Sequence, residues 1–170
     1  ETKLMGILDQ FAEVKPYVLD VVKDLRTEGI KIGSTTGYTD AMMRIVVPKA
    51  KENGYEPDAW FSPDSVGNAG RPYPYMIFKN MEALKIRNVG RVMKVGDTVS
   101  DIKEGKNAGV FTVGVVEGSS EMGLTKIEYE KLNSNEKEEK IHDTTKRFQD
   151  AGPDAVILNM SELRNLLGIE

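Results

Sequence analysis

The chain has 170 residues, of which 39% are hydrophobic and 29% charged, which favours one soluble globular domain with a buried core. It contains no cysteine, so disulfides, thiolate metal sites and a cysteine nucleophile are excluded. The net charge of -4 argues against a nucleic-acid partner, because nucleic-acid-binding proteins usually present a basic face. No apolar run approaches the roughly 18 residues that a membrane span needs, so we expect no membrane contact and a cytoplasmic location.

Helices and strands alternate along the chain. Apolar residues at helical spacing predict a helix that begins at Val18 and is ended by Gly29, and helices from Thr39 or Asp40 to Pro48, from Pro74 to Leu84, from Ile102 to Ala108 and from Ser161 to Leu167. Residues 126–150, rich in Lys and Glu, predict one or two solvated surface helices. Apolar runs bounded by turn residues predict strands at 30–34, 58–62, 92–95, 111–116 and 155–158. Pro48 is expected to kink or end its helix, because proline removes a backbone donor and clashes with the preceding turn.

This order of elements predicts βα units and a mostly parallel α/β sheet. In open sheets of this kind, ligands bind in a crevice outside the carboxyl ends of the strands. The residues that directly follow the predicted strands are therefore the candidates for function.

The stretch Lys94–Asp101 carries the strongest functional signal. The strand predicted at 92–95 ends at Gly96, and Asp97 and Asp101 follow, four residues apart. Carboxylates in a ligand crevice suit a hard cation such as Mg²⁺, which takes oxygen ligands and keeps waters and a substrate phosphate as the rest of its shell. Aspartates at this spacing also cap helices, and Asp101 is placed to do so.

Two further loops carry groups that handle phosphate. Thr36 and Gly37 follow the first predicted strand and offer a hydroxyl and a glycine whose backbone can approach an anion closely. Arg71, in the Pro/Gly-rich loop 63–74, offers a planar fork that matches phosphate oxygens. Each feature alone is typical of an ordinary turn or an exposed arginine. Their order along the chain, together with the aspartate pair, favours metal-assisted phosphoryl chemistry.

These stretches resemble three motifs of the haloacid dehalogenase-like superfamily: a strand ending in Ser/Thr, a basic residue before Pro-x-Pro, and Gly-Asp-x-x-x-Asp. Most relatives carry lysine as the basic residue, whereas this chain has Arg71. With that change, the chain is similar to the phosphonoacetaldehyde hydrolase (phosphonatase) family along nearly its whole length. The segments that carry the similarity are Gly33–Thr39, Gly70–Pro74, Lys94–Asp101 and Gly118–Thr125.

The resemblance implies a Rossmann-like core with helices on both faces of the sheet. It also implies Mg²⁺-dependent hydrolysis of the P–C bond of a small phosphonate substrate, phosphonoacetaldehyde, to acetaldehyde and phosphate. In that family a lysine of an α-helical cap domain forms a Schiff base with the aldehyde, and a core aspartate attacks phosphorus to give an aspartyl-phosphate. The protonated Schiff base, an iminium, acts as an electron sink for the carbon leaving group when the P–C bond breaks.

The resemblance also implies a role for each matched residue. Asp97 would bind Mg²⁺, and Asp101 would support the metal site as part of the catalytic machinery. Thr36 and Gly37 would bind the phosphoryl oxygens through a hydroxyl and a backbone N–H. Arg71 would take the place of the usual lysine, binding the phosphoryl group and linking it to the nucleophile.

The first motif of the family, a strand ending in Asp-x-x-x-Thr, has no counterpart in residues 1–29, where Asp9 and Asp20 lie in helical patterns. The resemblance therefore implies that the nucleophile, the first central strand of the sheet and the Schiff-base lysine are absent from this chain. Residues 1–15 resemble the end of the cap domain and the hinge, and residues 16–170 an incomplete core. We expect a fragment of a full enzyme that is inactive alone.

Other interpretations stay open. A separate chain could carry the missing strand, or the strands at 30–34 and 92–95 could pair directly in a rearranged sheet or a swapped dimer. The activity could be that of another Mg²⁺-dependent phosphatase or phosphomutase of the superfamily, or the chain could be a non-catalytic α/β module that binds phosphate. Relatives are commonly dimers through the cap, so a homodimer is expected only of the full-length protein.

Overall fold

The computed structural model describes residues 15–169. This part of the chain divides after Arg87 into two compact units, called here the first and the second unit. The cap end and hinge predicted for residues 1–15 lie, except for the last residue, outside the described part of the chain.

The first unit alternates helices and strands. Its elements are α1 (Val18–Thr27), β1 (Gly33–Thr35), α2 (Asp40–Glu52), β2 (Ala59–Phe61) and α3 (Tyr75–Leu84), with a 3-10 turn at Pro63–Val66. The two strands pair in parallel, with Ser34 opposite Trp60. α3 contacts both strands, and its Asn80 amide donates hydrogen bonds to the carbonyls of Ser34, at 3.0 Å, and Met76, at 2.9 Å.

The core of the first unit is built from the apolar faces of its helices. The buried apolar residues are Val21, Val22, Leu25, Met43, Met76 and Ile77. The helical spacing predicted for α1 is confirmed, since three of these residues lie on it at that spacing. Gly29 follows α1 with a φ of 75°, the left-handed conformation that ends helices and that glycine adopts without strain.

Two local predictions in the first unit differ from the structure. The first strand begins at Gly33 rather than Ile30, because Ile32 instead exchanges hydrogen bonds with Asp58: its N–H donates to the Asp58 carboxylate at 2.8 Å and its carbonyl accepts from the Asp58 N–H at 2.7 Å. Pro48 does not end α2, which continues to Glu52. A proline removes one helical donor, and α2 nevertheless runs through Pro48 without a break. A kink at Pro48, the other expected outcome, stays a prediction.

The second unit is a parallel three-stranded sheet with helices. Its elements are β3 (Met93–Gly96), α4 (Val99–Ala108), β4 (Phe111–Val115), α5 (Lys126–Glu130), α6 (Ser134–Asp150), β5 (Ala155–Ile157) and α7 (Leu163–Leu167), with 3-10 turns at Val89–Arg91 and Met160–Glu162. The strand order is β3-β4-β5, with Gly96 opposite Gly114 and Val113 opposite Ala155. The predicted parallel α/β class is confirmed.

Helix α6 packs on the second unit through very few side chains. Thr144 and Phe148 are its buried residues, while His142 and most of its charged residues are exposed. Phe148 belongs to a core cluster with Ile102 and Val116, and its ring lies directly over Gly114. A Cβ on Gly114 would be 3.0 Å from Phe148 Cγ, so this glycine is what allows the helix to sit so close to the sheet.

The last helix begins differently from its prediction. Asn159, rather than Ser161, provides the cap: its side-chain oxygen accepts a hydrogen bond from the Ser161 N–H at 3.0 Å. The 3-10 turn at Met160–Glu162 then leads into α7. Asparagine and serine are both good caps, so the sequence alone does not fix the starting residue.

Gly114→Ala is expected to destabilise the chain by about 1–3 kcal/mol, because an added methyl group would overpack a fully buried ring. Urea denaturation measures the change. Phe148→Leu provides the control: in the double variant the smaller side chain makes room for the methyl group, so the two losses should be less than additive. Fully additive losses would contradict the close contact.

Candidate functional site

In the first unit, the loop after β1 presents a hydroxyl and a backbone amide at the carboxyl end of the strand. The Thr36 Oγ1 accepts a hydrogen bond from the Tyr38 N–H at 3.0 Å. That contact uses the oxygen as an acceptor and leaves its hydrogen able to donate to an anion. Thr39 then caps α2 by accepting from the Met42 N–H at 3.3 Å, so the loop ends at the N-terminus of a 13-residue helix.

The guanidinium of Arg71 lies against this loop. A Cβ on Gly37 would be 2.9 Å from Arg71 Nη2, closer than side chains normally approach, so the absence of a side chain at residue 37 is what allows the contact. Thr36, Gly37 and Arg71, predicted as one phosphate-binding group, are therefore brought together within the first unit.

A polar network that sequence reasoning missed joins the loops after β1 and β2. The fully buried Ser62 hydroxyl donates to the Asp40 carboxylate. The Asp40 N–H donates in turn to the Asp64 carboxylate at 2.7 Å. These bonds fix the beginning of α2 relative to the following loop. The only signal in the sequence is that Ser62 and Asp64 follow a predicted strand.

In the second unit, Asp97 lies between β3 and α4 and is held by the loop after β4. Its Oδ2 accepts hydrogen bonds from the Ser120 N–H at 3.1 Å and the Ser120 hydroxyl at 3.2 Å. Its carbonyl accepts from the Glu121 N–H at 3.2 Å. Ser120 and Glu121 lie inside a segment matched by resemblance, but their contacts with Asp97 were not predicted.

Asp101 is buried in the first turn of α4, whose N-cap is Thr98. Its Oδ2 accepts from the Asp97 N–H at 3.1 Å, the Thr98 N–H at 3.2 Å and the Thr98 hydroxyl at 2.9 Å. The Thr98 hydroxyl oxygen accepts from the Asp101 N–H at 3.0 Å, which completes a capping box. Asp97 and Asp101 are therefore connected through the backbone. Asp101 takes part in capping α4, but from the third helical position, because Thr98 is the N-cap and the helix begins at Val99 rather than at the predicted Ile102.

Lys94 supplies a buried cation to two carboxylates of α4. Its Nζ lies 3.2 Å from Asp101 Oδ1 and 2.9 Å from Glu104 Oε1, and the three side chains are at most 11% exposed. Glycines make this packing possible: a Cβ on Gly96 would be 2.2 Å from Asp101 Cβ, and one on Gly105 would be 3.0 Å from Lys94 Cγ. The sequence shows both glycines but not the ionic cluster.

The fit of Mg²⁺ to these residues depends on Asp97. Among residues 15–169, no three His, Cys, Asp or Glu side chains form a group that could hold a metal ion. Mg²⁺ usually binds through one or two carboxylates plus waters and substrate phosphate, so Asp97 alone fits part of such a shell. Asp101 fits a supporting position, because its carboxylate already accepts several protein hydrogen bonds and faces Lys94.

A further polar group lies beyond the ends of β4 and β5. The Tyr129 hydroxyl donates to Glu117 Oε2 at 2.8 Å, and the Asn159 amide approaches Glu117 Oε1 at 3.4 Å. Burial, followed by the hydrogen bond and the charge of Glu117, raises the pKa of Tyr129 to about 12. Tyr129 therefore stays protonated at neutral pH and acts here as a donor that orients Glu117.

Comparison with known proteins gives the context of these sites. A family model described as haloacid dehalogenase-like hydrolase matches residues 2–109, and a second, described as HAD-hydrolase-like, matches residues 68–157. No helix among the described residues has the length and apolar character needed to cross a membrane.

The chain is similar to proteins whose names include phosphonoacetaldehyde hydrolase. It is 47% identical to a phosphonoacetaldehyde hydrolase of Lysinibacillus sphaericus over 98% of the chain and 62% of that protein. It is 46% identical to a bifunctional phosphonoacetaldehyde hydrolase/aminoethylphosphonate transaminase of Clostridioides difficile over 98% of the chain but 26% of that protein. A crystal structure of a phosphonoacetaldehyde hydrolase-like protein from Oleispira antarctica superimposes with a TM-score of 0.92 at 33% identity, covering 96% of the chain and 59% of that protein. The chain thus spans less than two thirds of the length of each of these three proteins.

Lys94→Met is expected to destabilise the chain by about 3–5 kcal/mol, because it keeps the apolar stem but removes the cation that two buried carboxylates share. Chemical denaturation measures the loss. The matched control is Lys106→Met, which breaks the exposed Lys106–Asp154 pair at 3.4 Å and should cost about 0–1 kcal/mol. Equal losses in both variants would contradict the buried ionic cluster.

Proposed function

Because the chain belongs to the haloacid dehalogenase-like hydrolase family, we propose that it is part of a Mg²⁺-dependent phosphonoacetaldehyde hydrolase. The full protein would cleave the P–C bond of this small phosphonate to give acetaldehyde and phosphate. One geometric observation carries this function: the Arg71 guanidinium lies against the backbone of Gly37, in a chain 46–50% identical to proteins named for the reaction.

The first unit supplies the groups that bind the phosphoryl oxygens. Thr36 donates its hydroxyl hydrogen, since Oγ1 already accepts from the Tyr38 N–H. Gly37 donates its backbone N–H, and Arg71 presents two parallel N–H groups that match two oxygens of one phosphoryl group. Arg71 also links this group to the nucleophile. A lysine would supply the charge as a single point and would lose the fork geometry.

The second unit supplies the metal-binding carboxylate. Asp97 would hold Mg²⁺, and bound Mg²⁺ neutralises the charge between a carboxylate and a phosphoryl group that would otherwise repel each other. Asp101 contributes without touching the metal, because its carboxylate fixes the backbone N–H groups of Asp97 and Thr98. This assignment agrees with the supporting role that the resemblance implied.

The remaining chemistry comes from elsewhere in the full protein. We assign the aspartate nucleophile and the Schiff-base lysine to segments other than residues 15–169, in keeping with relatives whose length the chain only partly covers. A cytoplasmic location and a homodimer of the full protein belong to the same proposal. Among alternatives, a phosphatase of the superfamily would use the same phosphoryl-binding groups but would need no Schiff-base lysine.

Borohydride trapping separates these two activities. The complete protein, incubated with phosphonoacetaldehyde and sodium borohydride, should gain the mass of one reduced imine adduct on one lysine. Borohydride added before the substrate provides the control, because it reduces the aldehyde first. Turnover of phosphate esters with no lysine adduct would contradict the phosphonatase function and favour the phosphatase.

Gly37→Ala is expected to lower kcat/KM of the complete protein by about 100-fold, the scale of loss for a displacement of roughly 1 Å in a reacting site. The added Cβ would lie 2.9 Å from Arg71 Nη2, so the guanidinium would have to move. Thermal stability should change little, because the displaced atom is the end of a flexible, half-buried side chain.

Arg71→Lys is the companion variant for this experiment. If Gly37→Ala acts by displacing the guanidinium, the double variant should be no slower than Arg71→Lys alone. Independent, multiplying losses would show that the two residues do not act together and would contradict the proposed phosphoryl-binding group.

A further inference from the structure

Ser120 and Glu121, in the loop after β4, form a short segment that holds the beginning of α4. Ser120 donates two hydrogen bonds to the Asp97 carboxylate, and the Glu121 N–H donates to the Asp97 carbonyl. The Glu121 Oε2 accepts from the Val99 N–H at 3.1 Å. This N–H lies in the first turn of the helix, where it has no partner within the helix. The 120–121 segment therefore fixes both the side chain and the backbone of Asp97.

Arg147 of α6 holds the 120–121 segment in turn. Its Nη2 donates to the Glu121 carbonyl at 2.8 Å, and its Nε lies 3.8 Å from Glu121 Oε1. The same Nη2 approaches the hydroxyl of the buried Thr144 at 3.4 Å. The Arg147 guanidinium thus contacts both the carbonyl and the carboxylate of Glu121. Glu121 in turn bonds to Asp97 and Val99.

The position of Arg147 is set by its neighbour in sequence. Phe148 is fully buried over Gly114, which fixes the rotation and height of α6 on the sheet. Arg147 then projects towards the loop after β4 with its side chain half exposed. An exposed ion pair contributes little stability, so the consequence of this contact lies in the geometry of the loop rather than in the free energy of unfolding.

We propose that Arg147 is a positioning residue that acts through Glu121 and Ser120 to set the orientation of the Asp97 carboxylate. The consequence for metal binding rests on the proposed function, because it requires Asp97 to be a Mg²⁺ ligand. The geometric claim, that Arg147 holds the 120–121 segment on Asp97, stands on the hydrogen bonds alone.

Arg147→Ala in the complete protein tests this inference, with Lys146→Ala as the matched control. Lys146 is the adjacent residue on α6, is also exposed, and pairs with Asp150 of the same helix at 3.3 Å. Hydrogen exchange of the metal-free protein should show faster exchange in a peptide spanning 119–123 for Arg147→Ala only. The expected acceleration is about tenfold, the effect of losing one charge-assisted hydrogen bond.

Mg²⁺ binding and kinetics give the second readout. Calorimetric titration should show Mg²⁺ affinity about 10-fold weaker in Arg147→Ala, the usual cost of losing a group that orients a metal ligand. Under saturating Mg²⁺ the KM for phosphonoacetaldehyde and the melting temperature should match those of Lys146→Ala. A purely structural role would instead lower the melting temperature and leave the Mg²⁺ affinity unchanged.

The outcomes separate the two claims. Unchanged exchange in Arg147→Ala, or equal acceleration in both variants, overturns the positioning role whatever the metal data show. Wild-type protein that binds no Mg²⁺ would overturn the metal role of Asp97, while faster exchange confined to Arg147→Ala would still support the hold of Arg147 on the segment.

Discussion

The candidate site of the second unit depends on the hydrogen bonds and the ion pair made by the buried carboxylate of Asp101. Its Oδ2 accepts hydrogen bonds from the backbone N–H groups of Asp97 and Thr98 and from the Thr98 hydroxyl, and Lys94 faces its other oxygen. A carboxylate at 4% exposure is costly unless it is paired and hydrogen-bonded. The capping hydrogen bonds and the lysine together meet that requirement, and they hold the turn that carries Asp97 in place.

Glycines at close approaches make this arrangement possible in both units. Gly96 leaves room for the Asp101 side chain, Gly105 for Thr112, and Gly114 for the Phe148 ring. In the first unit Gly37 leaves room for the Arg71 guanidinium. Each is a place where a helix or a side chain approaches a strand or loop more closely than a Cβ would permit, so packing and site geometry have the same physical origin.

The sequence predicted most of the local structure, which depends on residues that are close together along the chain. The strand ending at Gly96, the participation of Asp101 in capping α4 and the helices over 126–150 follow from local periodicity and capping rules, and the structure confirms them. It did not predict contacts between residues far apart in the chain. Lys94 with Glu104 and Arg147 with Glu121 are ion pairs whose partners are chosen by packing, and charged residues on an exposed helix carry no sign of which loop they reach.

The conversion of phosphonoacetaldehyde by the complete protein, followed by ³¹P NMR with and without Mg²⁺, tests the central claim most directly. We expect the phosphonate resonance to be replaced by that of inorganic phosphate only when Mg²⁺ is present, with one acetaldehyde formed per phosphate. A phosphonate signal that persists with Mg²⁺, while a phosphate monoester is hydrolysed under the same conditions, would contradict it.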